Sequence, residues 1–94
     1  MKPCRVLFAK AAEKDARRCP NHIKEALRVW TGLVELKGLA EVRKLPGYHD
    51  EPLHGRRKGQ RSVRLNRLWR AIYVELEDMN AILVQVEEVT PHAY

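Results

Sequence analysis

No stretch of this chain is long and apolar enough to cross a bilayer, which takes about 20 consecutive apolar residues. Charged residues interrupt every hydrophobic run well short of that, and the mean hydropathy is −0.49. No apolar segment ending in small residues follows Lys2 and Arg5, so a secretory leader is not expected and the expected compartment is the cytoplasm, with no membrane partner. Aromatic residues are scarce, at 6% with a single Phe, which leaves a core to be built mainly from Leu, Val, Ile and Ala. Cysteine is scarcer still. Cys4 and Cys19 form no CxxC pair, and no His/Cys cluster of zinc spacing surrounds them. Reduced, partly buried thiols are expected, a disulfide between them being the open alternative, and nothing asks for a metal or cofactor. Repeats and low-complexity tracts are missing as well. With 94 residues, the chain has apolar surface for one small core and hence one domain, 1–94.

What is present divides into two halves. Residues 4–8 (CRVLF) are apolar and partly β-branched, and read as a strand. From Ala9 to Arg18 the composition shifts to Ala, Lys, Glu and Arg, with Ala9, Ala12, Ala16 and Cys19 at spacings of three and four, the mark of a helix with a narrow apolar stripe. Pro20 ends it and opens a second helix to about Leu36, whose inner face carries Ile23, Ala26, Leu27, Trp30, Leu33 and Val34, with Gly38 as its stop. A short helical turn over Leu39 to Leu45 follows, then Pro46-Gly47 and a loop to Pro52. From Leu53 the period changes to alternation. Arg61 to Asn66 sets Val63 and Leu65 against Ser62 and Arg64. Leu68 to Glu77 sets Trp69, Ala71 and Tyr73 against Arg70, Ile72, Val74 and Leu76. Asp78-Met79-Asn80 reads as a turn with Asn80 in the left-handed region, and Ala81 to Val89 as a last strand. The order predicts an α+β fold: an N-terminal strand, two or three helices packed on one face, then a twisted antiparallel sheet of three to four strands.

The charge is +6, from 18 Lys and Arg against 12 Asp and Glu. It is concentrated: Arg56, Arg57, Lys58, Arg61, Arg64, Arg67 and Arg70 lie between Pro52 and Val74, a stretch with no Asp or Glu. Lone basic runs are usually solvated strand edges. This one covers a hairpin and two strands, so its cations converge on one region of a sheet, and arginine's planar fork matches phosphate. Arg70 shares its strand face with Ile72, Val74 and Leu76, so it must pair, for instance with a glutamate of the last strand, reach the sheet edge, or line a cleft where it clamps a phosphoryl oxygen. Asp50 and Glu51 precede the basic stretch, and His92 and Tyr94 end the chain. Carboxylate, imidazole, phenol and guanidinium together suffice for RNA cleavage without a metal: a base takes the 2′-OH proton, cations stabilise the phosphorane, and an acid protonates the leaving oxygen.

The stretch LPGYHDEPLHGRRKGQRSVRLNRLWRAIYVE (Leu45 to Glu75) and the ending VEEVTPHAY (Val86 to Tyr94) resemble the RelE/ParE superfamily, the toxins of bacterial type II toxin–antitoxin systems, and within it the HigB-like plasmid-maintenance killer proteins. The shared pieces are the LPGY turn, the PL-x-G-x-R-K-G hairpin, the W-R-x-x-Y strand and the aromatic C-terminus. The resemblance implies a RelE-like fold and a ribosome-dependent mRNA endonuclease that uses no metal. Its implied partners are the ribosome with its mRNA and a cognate antitoxin, a helix-turn-helix DNA-binding protein. It also implies site residues: Arg70 on the cleaved phosphate; Arg56, Arg57, Lys58, Arg61, Arg64 and Arg67 on the RNA backbone; His92 in proton transfer; Tyr94 in proton transfer or base stacking; and Glu51 as the general base of the YoeB-like branch. The rival implication is the ParE branch, which shares the fold and inhibits DNA gyrase by binding it without cutting RNA.

Overall fold

The change of period near Leu53 divides the structure as it divides the sequence. The computed structural model describes residues 2–92. Strand β1 (Cys4–Phe8) leads into helices α1 (Lys10–Arg18), α2 (Asn21–Lys37) and α3 (Leu39–Arg43), and then come strands β2 (Glu51–Pro52), β3 (Gln60–Arg64), β4 (Arg70–Glu77) and β5 (Ile82–Thr90). Single 3₁₀ turns over Pro46–Tyr48 and Gly55–Arg57 flank β2. Pro20 precedes the first residue of α2, and Gly38 ends that helix at φ +91°, a backbone conformation that suits a residue without Cβ.

The five strands form one sheet in the order β1-β5-β4-β3-β2. The expected antiparallel sheet is present as the four strands β2 to β5, and the N-terminal strand adds a fifth, which makes the sheet mixed. β1 joins it at the edge, parallel to β5, from Cys4 opposite Ile82 to Phe8 opposite Val86. An isolated N-terminal strand would leave its backbone groups unpaired, and the free edge of β5 satisfies them. One expectation fails at Asn80. Among the described residues the one non-glycine at positive φ is His49, at +44°. The turn before β5 is closed instead by Asp78, whose Oδ1 accepts the amides of Asn80 and Ala81, both at 2.7 Å.

The helices cover one face of the sheet. α2 contributes Ile23, Leu27, Trp30 and Val34, at spacings of four and three, and the sheet meets them with Val63, Ala71, Tyr73, Val84, Val86 and Val89. The core is rich in Val as expected, yet its two largest side chains are aromatic. Trp30 and Tyr73 are both fully buried, with ring centroids 5.5 Å apart at 45°. Leucine contributes less than composition suggests, since Leu36, Leu68 and Leu76 are exposed. Cys4 and Cys19 are buried free thiols. Burial pushes the Cys19 thiol up from its ordinary value.

Candidate functional site

The face away from the helices collects most of the basic tract. Strand alternation puts Arg70, Ile72 and Val74 of β4 on it, and the register aligns them with β3 and β5. Arg64, Arg70 and Thr90 form one row across three strands. Glu51, Ser62, Ile72 and Glu88 form the next row across four. Regular alternation from Val84 and Val86 would turn Glu88 toward the helices. A β-bulge prevents this: Ile72 pairs with Glu88 while Tyr73 pairs with Val86, leaving Glu87 without an opposite residue. The extra residue buries Val89 and puts Glu88 and Thr90 on the open face.

Arg64 and Arg70 stand directly opposite each other. Both Nε atoms are buried and lack a hydrogen-bond partner, and among the described residues neither side chain has an ion pair. Like charges opposed across a ladder repel, costing roughly 0.2–1 kcal/mol. A phosphate diester placed between two such forks would answer both. The glutamate of the last strand, offered above as a partner for Arg70, goes to a different arginine. Arg57, on the turn before β3, reaches across the sheet and donates to Glu88 Oε2 at 3.2 Å and to Gln60 Oε1 at 3.0 Å. That arm crosses β4 above Ile72, which is fully buried although it points away from the helices.

The remaining basic residues separate. Arg56 and Lys58 are exposed beside Arg57, and Arg67 is exposed in the β3–β4 turn. In that turn, Asn66 Oδ1 accepts the amides of Leu68 and Trp69 at 2.8 and 2.7 Å. Arg61 lies on the other face. Its Nε donates at 2.6 Å to Asp50 Oδ1, and Asp50, with a side chain only 2% exposed, also accepts the Tyr73 hydroxyl at 2.7 Å. Arg43 completes the cluster by donating to the Tyr73 oxygen at 3.2 Å and to Glu75 at 2.9 Å. Burial, then the Asp50 carboxylate, push the Tyr73 phenol far above its ordinary pKa. These groups hold α3, the turn before β2 and the sheet together and do not face the open side.

Glu51 lies exposed on β2, two strands from Arg70 and so about 10 Å away across the sheet at ordinary strand spacing. His92 follows β5 and is exposed, with its backbone amide donating to Thr90 Oγ1 at 3.2 Å. Thr90 faces Arg70, so the tail leaves the sheet at the arginine row. A cleft of about 340 Å³ opens between the end of α1 and the end of β5, with Arg18, Trp69, Glu88, Thr90 and His92 in its lining. Tyr94 lies outside the described residues. Glu88 is the member of this face that sequence reasoning missed, because the bulge that presents it has no local signature. Among the described residues no three His, Cys, Asp or Glu side chains gather as a metal-ligand set, and no helix is long and apolar enough to cross a membrane.

No family model matches the chain, and no curated protein matches it in sequence. Solved structures do resemble it. YafQ from E. coli strain BL21(DE3) is 22% identical over 90% of this chain and 89% of that one, with a TM-score of 0.69. A YoeB/ParE toxin from Agrobacterium tumefaciens is 16% identical over 95% and 99%, with a TM-score of 0.68. The YoeB–YefM complex from Staphylococcus aureus contains a chain 18% identical over 97% and 98%, at 0.66. At these identities the likeness is one of architecture: the chain shares the α+β fold of these proteins over nearly its whole length.

Proposed function

We propose that this protein is a RelE/ParE-superfamily toxin of the HigB-like branch that cuts mRNA on the ribosome. The observation that carries the reading is the Arg64–Arg70 pair: two opposed guanidiniums on the open face of the sheet, with buried Nε atoms and no carboxylate partner among the described residues. Binding alone does not require cations forced together. A phosphorane, which carries more negative charge than the diester it forms from, is held best by such a preorganised pair.

In the proposed reaction the 2′-oxygen of the ribose attacks the adjacent phosphorus and loses its proton to a base. The bond to the 5′-oxygen breaks, and that oxygen takes a proton from an acid. Arg70 and Arg64 hold the non-bridging oxygens. His92, beside the arginine row, takes part in proton transfer, and Glu51 on the same face is the candidate base opposite it. Arg56, Arg57, Lys58 and Arg67 line the approach and hold the RNA backbone. Arg61, which lies on the opposite face against Asp50, drops out of the RNA-binding set, whereas Arg57, though paired with Glu88, stays on the open face. Tyr94 is retained from the resemblance as a stacking platform. An antitoxin is the implied protein partner; the YoeB–YefM structure is that of such a toxin complex.

Primer extension on mRNA from programmed ribosomes tests the reading. The wild-type protein should produce discrete cuts, Arg70→Ala none, and either Glu51→Gln or His92→Gln a loss of about 100-fold or more, which names the proton-transfer group. Growth arrest with intact mRNA and blocked gyrase supercoiling would replace the nuclease with the ParE-type activity.

A further inference from the structure

β5 has β4 beside it along its whole length, but β1 only as far as Val86. Phe8 is the last β1 residue in register, and the Ala9 amide donates to the Val86 carbonyl at 2.9 Å. From Glu87 to Thr90 the outer edge of β5 has no strand beside it. The ladder to β4 is interrupted by the bulge at the same place. Backbone donors on such an edge must find water or a side chain. The Val89 amide finds Asp15 of α1, donating to its Oδ2 at 3.0 Å across 74 residues of sequence. Asp15 has basic residues of its own helix within reach of a surface ion pair, among them Arg18 three positions on, yet no ion pair to them is formed. Its carboxylate turns to the strand instead. Val89 is followed by Thr90, which faces Arg70 and accepts the His92 amide.

We infer that Asp15 is a positioning residue for the cleft: its carboxylate takes the place of the missing strand, fixing the end of β5 and, through Thr90 opposite Arg70, the placement of the segment that carries His92. The catalytic consequence rests on the nuclease reading above; the structural one does not. A tail anchored only by a bulged ladder would let the imidazole wander, and a misplacement near 1 Å costs on the order of 100-fold in rate.

The test uses the full chain with Asp15→Ala and Asp15→Asn, the second retaining a side-chain oxygen that accepts the Val89 amide. With Asp15→Ala, cleavage at saturating ribosomes should fall by about tenfold or more with KM little changed, since what is lost is geometry in the reacting complex. Hydrogen exchange at the Val89 amide should accelerate by about tenfold or more, while Val84, flanked by both β1 and β4, keeps its protection. Asp15→Asn should restore most of both. In a His92→Gln background Asp15→Ala should cost nothing further, because its effect passes through His92. Unchanged exchange at Val89, or losses from Asp15→Ala and His92→Gln that multiply, would overturn the inference. Should Asp15→Ala not fold, Asp15→Glu, which shifts the carboxylate by one methylene, is read against the same outcomes. If the wild-type protein cuts no RNA, the nuclease reading has failed, and the exchange at Val89 decides the positioning role alone.

Discussion

Arg64 and Arg70 occupy directly opposed positions on β3 and β4, each with its Nε buried and without a hydrogen-bond partner. A pair of like charges in this register costs roughly 0.2–1 kcal/mol. A site that keeps such a pair trades stability for anion binding. Arg70→Ala is therefore expected to melt at the same temperature as the wild type or slightly higher, while mRNA cleavage falls by about 100-fold or more. Arg70→Lys keeps the charge without the planar fork and should fall between the two. A thermal melt and a cleavage assay on the same preparations check this. A destabilised Arg70→Ala would mean that the arginine serves packing.

Lys58 and Arg61 belong to the same basic tract and should behave in opposite ways. Lys58 is exposed beside the open face. Lys58→Ala should weaken RNA binding, reduce the slope of log K against log salt by about 0.7, and leave folding alone. Arg61 is bound to the buried Asp50. Arg61→Ala should lower stability by about 1.5–3 kcal/mol, the range for a hydrogen bond to a charged group, with RNA affinity per folded molecule nearly unchanged. Denaturation curves and salt titrations of both variants separate the roles.

The Tyr73 hydroxyl predicts an alkaline limit to stability. Its folded pKa is raised by burial and by Asp50, above an unfolded value of 10.0. The unfolded chain therefore loses the phenolic proton first. The stability linked to Tyr73 is complete below about pH 10 and is lost as the pH climbs toward the folded value. Urea midpoints should fall above about pH 10, and Tyr73→Phe should flatten that fall. Some slope will remain, because burial raises Tyr48 in the same direction. An identical alkaline slope in the variant would show that Tyr73 does not govern it.

Trp30 ties α2 to the sheet through its contact with Tyr73. Trp30→Ala should cost about 3–5 kcal/mol by leaving a cavity under the helix. Its indole Nε1 is buried without a partner. Trp30→Phe, which removes that unsatisfied donor along with part of the ring system, should therefore cost much less than Trp30→Ala. Equilibrium unfolding of both variants gives the comparison.

Much of this protein is legible in its residues. The apolar spacing of Ile23, Leu27, Trp30 and Val34 announces α2, and the alternation from Arg61 to Glu77 assigns each side chain to a face, because both periods are properties of a few neighbouring residues. Arg64 and Arg70 were placed correctly on that basis, as was Trp30 in the core.

What the residues could not reveal depends on partners far away in the chain. Nothing near Cys4–Phe8 says that this strand will lie parallel to β5. Arg61 reads like its basic neighbours until the turn before β2 brings Asp50 beneath it. Glu88 looks destined for the helix side until the bulge opposite Ile72 turns it outward to meet Arg57. Asp15 is one more charge on a surface helix until folding sets it against an unpaired strand edge. Local spacing and composition are enough to specify the elements, their inner faces and the charge of the open face. Which arginines meet carboxylates, as Arg57 and Arg61 do, and which meet none among the described residues, as with Arg64 and Arg70, is settled only in the folded sheet, since it depends on register, and register is a relation between strands.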